Sequence, residues 1–227
     1  MLSYYLERTA GWKFVRKPPQ GVSIRATEQN EEVTWYKKNN DYLLICAVGG
    51  KDNFGKFFND KIQKPLDMSD AFEKIAIVTD RDNREVSAIE TEAAAFLKVP
   101  CGIIKNNQWN DCSYTNEFGM EKSFSTLLVV IPHEQQGALE TAMLAAIAED
   151  PYDKSIVEKT GTFASQMRKE ASRYMATDRL KLKAHLGLTW AVQYPEKVFS
   201  LIDEQIRTVK WEESETLRLC FAALVEI

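Results

Sequence analysis

The chain has 227 residues, 44% hydrophobic and 27% charged, with a formal net charge of −4 and a pI of about 5.4. That length and composition suit a globular protein with a full core, built as one domain or as one domain with a helical annex. The negative balance excludes a general polyanion binder, because no overall basic field draws in a nucleic-acid backbone. No apolar run approaches the ~20 residues that a membrane-spanning helix needs.

In chain order, residues 1–41 read as polar and irregular. The opening Met-Leu-Ser-Tyr-Tyr-Leu-Glu-Arg has no basic leader before an apolar core, so no signal peptide is expected. Two short strands are predicted at 12–16 and 22–27, on either side of the Pro18-Pro19-Gln20-Gly21 turn. The apolar run 42–48 predicts a strand that stops at Gly49-Gly50. Phe54, Phe57, Phe58 and Ile62 then keep helical spacing up to Pro65. A strand follows at 74–79 and an Ala- and Glu-rich helix at 85–97, closed by Pro100. A short strand is expected at 101–105, a loop over the Asn-, Asp- and Ser-rich stretch 106–123, and a buried strand at 126–131.

Beyond Gly137 the pattern becomes helical, with helices expected at 138–148, 156–175, 180–193, 197–209 and 214–226. The expected fold class is α/β: a mainly parallel sheet flanked by helices, with a helical C-terminal region. The expected domains are residues 1–150, α/β, and residues 151–227, helical and packed on the first. Cys46, Cys101, Cys112 and Cys220 show no C-x-x-C spacing and read as buried, reduced thiols of a cytoplasmic protein.

Four segments hold the residues that could carry chemistry. The run Ile75-Ala-Ile-Val78 ends in Asp80-Arg81-Asp82-Asn83. Alternate residues of an extended turn share a side, so both carboxylates can face one ion, and paired negative charges favour a cation between them. The alternative is an ordinary Asx-type turn. Val48-Gly49-Gly50-Lys51-Asp52-Asn53 offers close backbone approach and a lysine for a phosphate, though not the spacing of a Walker A loop. Taken alone, a simple tight turn with Asp52 or Asn53 as helix N-cap is the favoured reading there. Pro132 leads to Gly137 and to Glu140 in a first helical turn, as a ligand or as a dipole-complementing carboxylate. Glu28 closes the strand expected at 22–27, or lies in a solvated polar loop. Parallel strands would bring all four ends to one rim of the sheet.

This ordered set resembles the Toprim fold, the metal-binding domain of topoisomerases, DnaG-type primases and OLD-family nucleases. It is most similar to small Toprim-like proteins of the DUF3226 type. The resemblance rests on Gly49–Asn53, on Asp80 and Asp82, and on Pro132, Gly137 and Glu140. It extends over roughly residues 20–225, with Lys183-Ala184 and Trp190 matching helical-tail positions. In the first motif Gln29 stands where the family has glycine.

The resemblance implies Mg²⁺ or Mn²⁺ held by Asp80, Asp82, Glu140 and Glu28. Catalytic roles fall to Glu28, Asp80, Asp82 and Lys183, and Gly49, Gly50 and Lys51 would take a phosphate. The implied reaction is hydrolysis of nucleic acid, held through metal and through local basic patches such as Arg179, Lys181 and Lys183. The alternative is an inactive module that binds a metal, a phosphate ligand or a protein partner.

Overall fold

The computed structural model describes residues 1–97, 101–197, 206, 207 and 209–225. It is a mixed α/β protein with two three-stranded sheets. The chain forms two compact units. One holds Leu2–Thr79, Arg84–Val130 and Phe221–Ile227; the other gathers Asp80–Asn83 with Ile131–Cys220.

The first unit opens with helix α1 (Leu2–Ala10), which buries Tyr5 and Leu6; the Tyr5 ring lies 5.0 Å from that of Phe221. At nine residues the helix has too few turns for its apolar face to repeat clearly in the sequence. Strands β1 (Lys13–Val15), β2 (Glu31–Lys38) and β3 (Asp41–Val48) form an antiparallel sheet in that order. β2 falls where the sequence suggests only irregular chain. Its Val33-Thr-Trp-Tyr36 core is β-favouring but is flanked by Glu31-Glu32 and Lys37-Lys38, which hide it. The signal that finds it is Asn39-Asn40, a two-residue loop between paired Lys38 and Asp41, with Asn39 at φ 55°.

Residues 22–27 are not a strand. Ile24 is buried against Trp35 and Phe57, while the Thr27 N–H donates to the Glu31 carboxylate at 2.8 Å rather than to a neighbouring strand.

A helical stretch runs from Phe54 to Ser69: α2 (Phe54–Phe57), a π-helical segment (Phe58–Gln63) and α3 (Lys64–Ser69). Pro65 does not end it. The widened π turn precedes the proline, which lies in the first turn of α3, where its missing N–H costs little.

The second sheet has the order β4 (Lys74–Asp80), β6 (Glu121–Ile131), β5 (Trp109–Thr115). β4 runs parallel to β6: Ser125 N donates to Glu73 O at 2.8 Å, and Arg81 N to Ile131 O at 2.7 Å. β5 and β6 form an antiparallel hairpin. The second half of β6 is buried on both faces and its first half alternates, so the apolar run alone caught only residues 126–131.

The loop expected at 106–123 is thus largely strand. Cys112 and Tyr114 point inward and Asp111, Ser113 and Thr115 outward, and the outward polar residues gave the stretch its loop-like composition. Residues 101–105 are not a strand; the backbone touches β6 through a single parallel bridge at Asn106–Leu128. Helix α4 (Val86–Phe96) agrees with expectation, while its closure at Pro100 lies outside the described residues.

Cys101 and Cys112 form a disulfide, with Cα atoms 4.5 Å apart, within the core of Phe58, Ile77, Leu128 and Val130. This corrects the expectation of four thiols. The pairing depends on β5 lying beside the 101–105 segment, which the spacing of cysteines does not encode. Cys46 and Cys220 are free.

The second unit is helical: α5 (Leu139–Ile147), α6 (Pro151–Glu170), α7 (Asp178–Gln193) and, reaching into the first unit at its last residue, α8 (Glu215–Phe221). The domain boundary expected at residue 150 falls within this unit. The helix expected at 197–209 lies almost wholly outside the described residues. Among the described residues, no helix is long and apolar enough to cross a membrane.

Helices α6 and α7 are locked by a buried hydroxyl pair, Thr160 with Thr189 at 2.8 Å, and by His185 Nε2 against Val157 O at 2.8 Å. The His185 ring fills the space over Gly161, where an added Cβ would come within 2.8 Å of it. Gly187 on α7 has no such neighbour within 4 Å. Gly187→Ala should therefore stabilise by about 0.5–1 kcal/mol through helix propensity. Gly161→Ala should forfeit that gain and destabilise by about 1 kcal/mol through the displaced ring. Urea midpoints of the two variants check the opposite signs.

Candidate functional site

Asp80 closes β4, and the next three residues belong to the helical unit. The turn is fastened to the end of β6 and to the segment after it by three backbone hydrogen bonds. Arg81 N donates to Ile131 O, Asp82 N donates to Gly137 O at 2.6 Å, and Gly137 N donates back to Asp82 O at 2.7 Å. The last two form an isolated antiparallel bridge. Gln136 Nε2 adds a donation to Asn83 O at 3.3 Å.

Asp82 holds φ 54°, a left-handed conformation that Asp tolerates better than most residues. Gly137 has φ 142°, and a Cβ there would lie 2.4 Å from Thr141 Oγ1. The glycine predicted from the sequence as part of a ligand motif thus acts through the backbone, letting the strand-to-helix segment pair with the aspartate turn.

Asp80 is the electrostatic centre, with 27% of its side chain exposed. Its Oδ1 accepts from Leu139 N, at the start of α5, at 2.9 Å. Its Oδ2 lies 3.9 Å from Arg179 Nη2 at the start of α7. Burial raises its pKa above the ordinary aspartate value; the Leu139 N–H opposes this, Glu140 raises it further, Arg179 lowers it, and Asp82 raises it. Asp80 therefore feels the negative charge of both Glu140 and Asp82. Lys183 lies one helical turn beyond Arg179, at the i+4 spacing that shares a helix face, and is exposed.

Among the described residues, no three His, Cys, Asp or Glu side chains are arranged as a ready ligand set for a metal ion. The donor chemistry suits a hard cation, since Asp80 is an oxygen donor that feels the negative charge of Glu140 and Asp82. The described side chains alone do not complete a cage.

The remaining predicted residues lie in the other unit. Glu28 is in the loop before β2, and its carboxylate pairs with Lys56 Nζ at 3.1 Å. Residues 22–27 form no strand to deliver Glu28, and β3, which delivers Gly49 and Gly50, lies in the antiparallel sheet. The single rim of four parallel strand ends expected from the sequence is not how these strands pair.

Gly49 at φ 74° packs against Asn30, where a Cβ would come within 2.9 Å of the Asn30 Cβ. Asn53 Nδ2 donates to Val48 O at 2.9 Å and closes the turn around Gly50 and Lys51. Glu28, Glu31, Asn53 and Lys56 line a cavity of about 370 Å³ beside this turn.

Arg179 is the site residue that sequence reasoning assigned only to a basic patch. Its contact with Asp80 spans about a hundred positions, and only the packing of α7 reveals it. No family model, curated protein or solved structure matches this chain.

Proposed function

We propose that the Asp80 turn is a Toprim-like centre for divalent-metal-dependent phosphodiester chemistry, nuclease-like in its reaction. The observation that carries the proposal is the convergence of Asp80, Asp82 and Glu140 with Arg179 at the end of a strand parallel to its neighbour. Mg²⁺ is commonly bound by one or two carboxylates together with substrate phosphates and water, rather than by an all-protein cage. A pair of aspartates at one turn fits that mode.

Asp80 and Asp82 would hold the ion, with Glu140 alongside. A bound Mg²⁺ or Mn²⁺ supplies a Lewis acid for a phosphoryl oxygen and a lowered pKa for a water. The chain's own part is positional. Leu139 N–H fixes one Asp80 oxygen and the other lies 3.9 Å from Arg179 Nη2, while Arg179 and Lys183 offer positive charge to a phosphate. The Glu28 carboxylate is engaged by Lys56 Nζ at 3.1 Å, so a role at the ion would require it to give up that pair.

A second reading is binding of a metal–phosphate ligand without turnover. It is favoured by the pairing of Glu28 with Lys56, which occupies the carboxylate that the resemblance casts in a catalytic role. Isothermal titration with Mn²⁺ and Mg²⁺, alone and with a non-hydrolysable phosphodiester, separates the outcomes. Weak metal binding that tightens at least about tenfold with the phosphodiester is expected. Absence of metal binding under both conditions removes the proposal. Metal binding without cleavage of DNA or RNA selects the second reading.

A further inference from the structure

The chain is acidic overall, yet residues 168–183 concentrate six basic residues against two acidic ones, a local charge of +4. This stretch is the end of α6, the start of α7 and the seven residues joining them. The joint is ordered by its own hydrogen bonds: Tyr174 N donates to Ala171 O and Met175 N to Ser172 O. The Thr177 hydroxyl caps α7 by accepting from Leu180 N. Arg168 pairs with Asp178, tying the two helix ends together.

Two cations are thereby used, Arg168 in that tie and Arg179 on Asp80. Lys169, Arg173, Lys181 and Lys183 make no ion pair within 4 Å among the described residues. At the tip, Tyr174 is 73% exposed, and the Arg173 guanidinium lies 5.8 Å from its ring centre. A solvated tyrosine side chain on a basic turn has no packing role. An aromatic face interleaved with cations is the arrangement that stacks a base while lysines and arginines follow the phosphates.

We propose that the α6–α7 joint is a binding arm for single-stranded nucleic acid, with Tyr174 as its stacking platform and Lys169, Arg173 and Lys183 as its phosphate contacts. Arg179 places one end of the arm at Asp80, so a strand lying along it reaches the acidic turn. An anionic membrane surface is less suited, because Tyr174 and Leu180 are the large hydrophobic side chains that residues 168–183 expose, too few for an apolar face to insert. The inference deepens the functional reading above by naming the substrate class, and it rests on that reading only for what happens after binding.

The test is fluorescence anisotropy of the full chain with a labelled oligo(dT) 20-mer in EDTA, from 50 to 200 mM salt. Binding is expected without metal. Tyr174→Ala should weaken it at least about fivefold, while Tyr174→Phe retains it. Replacing Lys169, Arg173 and Lys183 with alanine should reduce the slope of log K against log salt by about 2. Absence of binding, an unchanged Tyr174→Ala, or equal competition by duplex DNA or phosphatidylserine vesicles overturns the inference. Because metal is excluded, a silent metal titration with intact oligo(dT) binding sinks the metal centre alone, and the converse result sinks only the arm.

Discussion

Asp80→Asn is expected to melt at a higher temperature than the wild type at pH 7 while losing its response to Mg²⁺ and Mn²⁺. The stability gain follows from the sign of the Asp80 shift. Burial, Glu140 and Asp82 raise its pKa in the folded protein against the opposing Leu139 N–H and Arg179. A carboxyl with a raised folded pKa favours the fold at low pH, and that contribution is lost as pH rises through the folded value. At pH 7 the ionised group therefore costs stability, which the neutral amide removes.

The asparagine oxygen still accepts from Leu139 N, so the local geometry survives. The difference in melting temperature between variant and wild type should shrink as pH falls toward and below the ordinary aspartate range. Metal-dependent cleavage should drop by more than about 100-fold, since even outer-shell losses at metal sites cost ten- to a hundredfold. Differential scanning calorimetry at pH 7 and pH 3.5, with and without Mn²⁺, reads the stability and the metal response, and a cleavage assay reads the rest. A wild type that melts higher than the variant at pH 7 without metal contradicts the electrostatic account.

Gly137→Ala carries the second large effect. A side chain at φ 142° is strained wherever it occurs, at a cost of about 1–3 kcal/mol. Here the new Cβ would also meet Thr141 Oγ1 at 2.4 Å and Thr141 Cβ at 2.8 Å, and forced overpacking adds about 1–3 kcal/mol. Thr141 Oγ1 accepts from Ala138 N, so the start of α5 is disturbed as well. A loss of about 3 kcal/mol in urea unfolding is expected from these two costs together, with metal binding lost in step because the two-bond bridge to Asp82 cannot form.

Adding Thr141→Ala to Gly137→Ala should recover part of the loss by removing the hydroxyl contact. The backbone strain stays, and the double-mutant cycle separates the two costs. Wild-type stability in Gly137→Ala would mean that the Asp82–Gly137 bridge does not hold the turn in place.

The sequence by itself determined the elements whose signal is local. β3, β4 and the second half of β6 are apolar runs cut off by Gly, Asp or Pro. α4, α5 and α7 follow from residue type and helical period. The Asp-x-Asp turn and the Gly137–Glu140 entry to α5 were legible for the same reason, as chemistry written within a few neighbouring residues.

Tertiary structure alone decided what depends on partners far along the chain. β2 and β5 exist because neighbouring strands satisfy their backbone hydrogen bonds, which outweighs their polar composition. Cys101 meets Cys112 because β5 lies where it does. Parallel order holds for β4 and β6 but not for β3. Asp80 acquires its raised pKa from burial, against the opposing Leu139 N–H of α5 and Arg179 of α7, elements whose own patterns say nothing of where they pack. Strand pairing and side-chain electrostatics are sums over distant contacts, and a one-dimensional pattern records only the near ones.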